Sequence, residues 1–150
     1  MRFRPFTQPW ADALCEALNG DAAYRDAAAR WAWPLAMVLE PTPALGYAEP
    51  VATELVLDHG TCRAATVLAP GAVTAPFVLR ATYEVWKKVV RGELDPISAV
   101  VTGRIKLTGA MMTLMMHTGA AQALLACASR VPTDFPDEEN EASAGQPGRR

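Results

Sequence analysis

The sequence predicts a single α+β domain, and three observations carry that reading. Apolar residues recur at helical spacing at both ends of the chain, they alternate in its middle, and 150 residues is the length of one domain. Folding at that size removes roughly 70% of the unfolded chain's surface, enough for a core without covalent staples. Apolar residues make up 51% and charged residues 20%, a balance usual for globular proteins.

Helical spacing begins near Gln8. Trp10, Ala13, Leu14, Ala17 and Leu18 share one face, and Pro9 sits in the first turn, where its missing N–H costs nothing. Asn19-Gly20 stops this helix, and Asp21 caps a second one running to about Arg30, with Tyr24, Ala27, Ala28 and Trp31 on its apolar face. The apolar run from Trp33 to Leu39 is too short for a helix between its breakers, and Pro41, Pro43, Gly46 and Pro50 mark a long loop.

The period then changes to two. Val51, Thr53, Leu55 and Leu57 alternate with Glu54 and Asp58, His59-Gly60 turns, and Thr61 to Leu68 completes a hairpin. Pro76 to Ala81 adds one more strand after the Ala69-Pro70-Gly71-Ala72 turn, so an antiparallel meander is expected.

Helical signals return at Thr82, a good cap. Glu84 suits the positive helix start and Lys87, Lys88 and Arg91 the negative end, while Val85, Trp86, Val89 and Val90 point inward. Gly92 closes that helix. Asp95 caps and Pro96 opens a short one that Gly103 ends. Arg104 to Thr108 alternates as a strand with Ile105 and Leu107 inward, and after Gly109 a final helix is expected from about Ala110 to Ala128. From Pro136 onward almost nothing is apolar, so residues 1–135 read as the domain and 136–150 as a disordered polar tail.

Several function classes are excluded. A net charge of -2, with no basic block larger than Lys87-Lys88, does not suit nucleic acid. Cys15, Cys62 and Cys127 are far apart, and with only His59 and His117 they give no metal-ligand spacing. Reduced buried thiols and a cytoplasmic location are the expectation. No secretory signal follows Met1-Arg2-Phe3-Arg4-Pro5. The span from Leu107 to Ser129 carries no formal charge, but Thr108, Thr113, His117, Thr118 and Gln122 make it a buried or pocket-lining helix rather than a membrane span. Ser98, His59 and Asp58 form no recognisable triad and no Gly-x-Ser-x-Gly elbow is present, so no catalytic residue is expected. Nothing cradles a phosphate, and neither cofactor nor metal is expected.

Two features of the second half remain. Four of the six methionines lie in Met111-Met112-Thr113-Leu114-Met115-Met116, and on one continuous helix Met112, Met115, Met116 and Gly119 share a face. Methionine suits a surface that fits variable apolar ligands, and it fills ordinary cores equally well. The closely spaced breaks at Gly92, Asp95-Pro96, Gly103 and Gly109 force short elements to pack locally around apolar space.

The segments Trp86-Lys87-Lys88-Val89-Val90-Arg91-Gly92-Glu93-Leu94-Asp95-Pro96 and Val101-Thr102-Gly103-Arg104-Ile105-Lys106-Leu107-Thr108-Gly109 resemble the sterol carrier protein type-2 family. Gly92, Leu94, Asp95, Pro96, Gly103, Arg104, Lys106 and Gly109 match its pattern in order and spacing. The resemblance implies a five-stranded, mostly antiparallel sheet with helices on one face and a hydrophobic tunnel between them. It implies non-covalent binding or transfer of a fatty acid, acyl-CoA, sterol or other lipid, without stable membrane insertion. Helical facing then names Trp86, Val89, Val100, Ile105, Leu107, Met112, Met115 and Met116 as the expected lining. Arg104 and Lys106 are either solvated or meet a ligand headgroup. The alternative function is an accessory module that buries its apolar last helix against a partner or in a homodimer.

Overall fold

Local signals set most element boundaries in the computed structural model, which describes residues 2–138. The helices are α1 (Gln8–Asn19), α2 (Ala22–Ala27), α3 (Tyr83–Val90), α4 (Pro96–Val101), α5 (Met111–Met115) and α6 (Thr118–Arg130). The strands are β1 (Leu35–Leu39), β2 (Val51–Asp58), β3 (Thr61–Leu68), β4 (Phe77–Ala81) and β5 (Lys106–Thr108). Three caps act as read: Asp21 accepts from Tyr24 N, Thr82 from Val85 N and Asp95 from Ser98 N. At the β2–β3 turn His59 and Gly60 both have positive φ, 50° and 89°, as a two-residue hairpin turn requires. A Cβ on Gly60 would lie 2.7 Å from the Arg25 carbonyl oxygen, so the hairpin tip packs directly on the α2 backbone.

The sheet order is β3-β2-β1-β4-β5. Three pairings are antiparallel, but β4 lies parallel to β1. The expected meander is therefore corrected: β4 crosses to the far side of β1 instead of extending the hairpin. The reason lies in β1, whose every residue is buried and which needs a neighbour on each edge. The β2–β3 hairpin takes one edge, so β4 takes the other. Glu54 Oε2 accepts the backbone N–H groups of Thr74 and Ala75, both at 2.9 Å, and fixes the crossover. Ala36, Val38 and Ala52, on the same sheet face as Glu54, are buried.

The other sheet face, which holds Leu35, Met37, Leu39, Leu55, Phe77 and Leu79, packs under the helices. There α6 touches each of α1 to α5. Phe6 stacks on Trp10 (centroids 5.5 Å apart) and meets Trp86 at 5.9 Å. Trp10 Nε1 donates to Thr133 Oγ1 (3.2 Å) and Trp86 Nε1 to the Val38 carbonyl (2.9 Å), so burying both indoles leaves no polar tip unpaired.

Two further differences from the sequence reading concern the last third. The helix expected from Ala110 to Ala128 is broken at Met116–His117 into α5 and α6, with His117 at φ -125° and ψ 36°. The tail expected from Pro136 begins as ordered chain. Tyr83 donates to Asp137 (2.6 Å), Lys87 pairs with Asp137 (2.7 Å) and Glu138 (3.0 Å), and Arg91 pairs with Glu138. Partial burial pushes the Asp137 carboxyl up, but Lys87 and Tyr83 outweigh it and hold it below the ordinary range. The remainder of that tail, residues 139–150, lies outside the described residues.

Candidate apolar ligand pocket

A small apolar pocket lies between the sheet and the break in the last helix. Its walls are Tyr24 of α2, Trp31 beyond it, Leu35 of β1, Leu57 of β2, Leu114 of α5, and Ala120, Ala121 and Leu124 of α6. Each comes from a local cause. The Asp21 cap starts α2 in the register that turns Tyr24 inward, and the period of β1 and β2 brings Leu35 and Leu57 to the helical face. The small side chains of Ala120 and Ala121 leave space where larger ones would fill it. The cavity volume is about 10 Å³, room for one water centre, whereas drug-sized ligands need roughly 300–1,000 Å³. As it stands, the pocket is therefore too small for a lipid. Larger surface hollows, such as the one of about 540 Å³ bounded by Phe3, Asp12, Glu16 and Arg130, are open grooves edged by charge.

Along one side of the cavity runs an aromatic group. Trp31 packs against Trp33 (5.1 Å), Phe77 (4.9 Å) and His117 (5.4 Å), and Trp33 also meets His117 edge-on at 5.7 Å. The His117 ring is thus held by two indoles at the hinge between α5 and α6. Trp31 Nε1 donates to the Trp33 carbonyl (2.7 Å). The Tyr24 hydroxyl has no partner among the described residues, although Tyr24 is only 1% exposed. Burial pushes its phenol far up, with the Cys62 and Cys127 thiols nearby adding to the shift.

None of the lining residues expected from sequence borders this cavity. Trp86, Val89, Val100 and Ile105 are buried in the general core, and Leu107 is half-buried against it. Val89 also borders a surface hollow of about 250 Å³ between the Gly92–Pro96 turn and α6. Met115 lies at the margin of the surface, while Met112 and Met116 are 74% and 78% exposed. With the helix broken at His117, α5 docks separately from α6, and the one residue it buries is Leu114, on the face away from Met112 and Met116. Tyr24 and Trp31, which the spacing predicts only as part of an apolar packing face, are the lining residues that sequence misses. The available signal was a hydroxyl on an otherwise apolar helix face opposite a pair of alanines.

Catalytic and metal chemistry find little purchase among the described residues. No cluster of three His, Cys, Asp or Glu side chains forms. Asp58 is occupied by His59 (2.5 Å) and Arg63 (2.7 Å) at the hairpin tip, while Ser98 lies within α4. The three cysteines are free thiols. Burial, with a hydrogen bond to Asp21, pushes Cys127 up to about 12, far from a reactive thiolate. Among the described residues no helix is long and apolar enough to cross a membrane.

The motif residues do structural work around this site. Asp95 caps α4 and also accepts from Gln122 of α6 (3.0 Å). Gly109, at φ 133°, leaves no room for a Cβ, which would lie 2.7 Å from the Pro76 carbonyl oxygen. Residues 11–122 match the family model of the SCP-2 sterol transfer family. The chain belongs to that family. A crystal structure of sterol carrier protein 2 is 39% identical over 85% of this chain and 99% of its own, with a TM-score of 0.81. The solution structure of a conserved hypothetical protein from Thermus thermophilus is 38% identical, covering 88% of this chain and 92% of its own, also at 0.81. The sterol carrier protein domain 2 of Helicoverpa armigera, 16% identical over 89% of this chain and 99% of its own with a TM-score of 0.56, shares the fold alone. No curated protein matches the chain.

Proposed function

We propose that this SCP-2 family protein binds a lipid non-covalently in the apolar cavity and has no catalytic activity of its own. The observation that carries this reading is an uncharged apolar pocket walled on one side by a short helix anchored through Leu114 alone. Ligand entry on this reading moves α5 outward about the His117 hinge. Each CH₂ then buried contributes roughly 0.8 kcal/mol. Trp86, Val89, Val100 and Ile105 form the fixed core behind the site, Leu107 flanks it, and Met112, Met115 and Met116 form the face of the moving wall. A reducing cytoplasm suits the three free thiols.

Native mass spectrometry of freshly purified full-length protein tests the reading, together with titration by cis-parinaric acid while following tryptophan emission. A co-purifying lipid and a saturable change in emission are expected, because Trp31 lines the cavity. Protein that carries nothing and shows no saturable response contradicts it.

A second reading has its own observation. Every large apolar side chain exposed among the described residues (Val101, Met111, Met112, Met115 and Met116) falls within one stretch, which suits an adaptable protein interface or a homodimer. Light scattering on the lipid-free protein separates the two: a monomer at all concentrations removes the homodimer.

A further inference from the structure

We propose that Cys15 and Cys62 are a site of reversible oxidative modification: they form a disulfide by exchange with a small-molecule disulfide, and that bond fastens α1 to the edge of the sheet. The inference stands apart from lipid binding.

β3 is an edge strand of the sheet, and α1 bonds directly to its backbone. An edge strand leaves N–H and C=O groups open, and two amide side chains of α1 take them up. Gln8 donates to the Ala65 carbonyl (2.8 Å) and accepts from Val67 N (2.9 Å). Asn19, at the other end of the helix, donates to the Cys62 carbonyl (2.9 Å) and accepts from Cys62 N (2.8 Å). Cys15 sits one turn before Asn19 on the same face, and its Sγ donates to that same Cys62 carbonyl at 3.3 Å. Three hydrogen bonds from α1 thus hold the Cys62 backbone, and the Cys62 thiol lies within hydrogen-bonding reach of the Cys15 thiol. Cys127 is engaged elsewhere, donating to Asp21 Oδ2 at 3.0 Å.

Exposure gives the two thiols different roles. Cys15 is half-buried and Cys62 only 3% exposed, so an incoming disulfide meets Cys15 first. The Cys15 thiolate attacks one of its sulfurs, forms a mixed disulfide and releases the other half as a thiolate. Cys62 then attacks the Cys15 sulfur, its proton passing to the second half as that half departs. The two protein thiols lose two electrons and two protons, and the small disulfide becomes two thiols. Burial and the neighbouring Cys15 thiol push the Cys62 thiol up, which suits a resolving cysteine and not an attacking one. The bond joins residues 47 apart in sequence and so restricts the unfolded chain, adding to stability until a reducing thiol reopens it.

The test incubates the full-length protein with oxidised glutathione in the absence of denaturant and quenches with acid. Intact mass, non-reducing peptide mapping and thermal melting then compare it with protein reduced by dithiothreitol. A monomer lighter by two hydrogen atoms and a cross-linked Cys15–Cys62 peptide are expected. The melting temperature should rise by about 5–10 °C and return on reduction. Cys62→Ala should stop at a glutathione adduct on Cys15, and Cys127→Ala should still form the cross-link. A lasting glutathione adduct on Cys15 in the wild type, a disulfide-linked dimer or an unchanged mass overturns the pair, as does a cross-link that survives Cys15→Ser. A Cys15–Cys62 bond that leaves the melting temperature unchanged overturns the fastening of α1.

Discussion

Around α1 and α3, four large aromatics find a partner for their polar tips. Trp10 donates to Thr133, Tyr47 to the Pro5 carbonyl, Tyr83 to Asp137 and Trp86 to the Val38 carbonyl. On the α5 side a buried hydroxyl has no partner, a cavity remains, and four methionines face the surface from a helix that buries one residue. On the proposed function the first region stays shut and the second opens. A protein that exchanges a large apolar ligand needs both, because local opening draws on the least stable part of the fold.

Breaking the shut side should have the largest effect. Trp86→Ala removes a core indole and its hydrogen bond, with an expected loss of about 3–5 kcal/mol in urea denaturation; a loss below about 1 kcal/mol would erase the contrast. Leu114→Ala, on the opening side, should cost about 2 kcal/mol, the low end for a buried leucine, because α5 can relax over the gap. Hydrogen exchange should show α5 amides opening well before those of α3.

The acidic clamp on α3 gives a smaller effect with a defined sign. Asp137 and Glu138 are held below the ordinary carboxylate range in the folded protein. Their contribution is therefore present above the unfolded pKa and is lost as pH falls through the depressed folded value, so stability should drop below about pH 4. Asp137→Asn should cost about 1 kcal/mol near neutrality and flatten that acid limb in pH-dependent melting. Smallest of all, Met112→Ser and Met116→Ser should change stability by no more than about 0.5 kcal/mol, since both side chains already face solvent. A larger loss in dilute protein would place them in a contact that α5 makes on this chain.

Much of this was readable from local chemistry. Asp21, Thr82 and Asp95 cap the helices they were expected to cap, the His59-Gly60 turn closes the hairpin, and Trp86, Val89 and Val90 point inward. Each is decided within four residues or by one period of alternation. The site was less readable. Met112, Met115 and Met116 do share a helical face, but which way that face points is set by how α5 docks once the helix breaks at His117, beside Trp31 and Trp33 about 85 residues away in sequence. The parallel β1–β4 pairing and the docking of Asp137 on Tyr83 and Lys87 are likewise long-range choices.

The sequence by itself determined an α+β domain with its strands in the middle, the caps and turns, and the glycine and Asp-Pro framework from Gly92 to Gly109. Those features follow from backbone sterics and short-range periodicity, which each segment carries alone. Only the tertiary structure decided that β4 crosses to the far side of β1, that the methionines turn outward, and that Tyr24 rather than Met115 meets the cavity. Those outcomes depend on which faces compete for burial once all the elements are packed together, and no single segment encodes that competition.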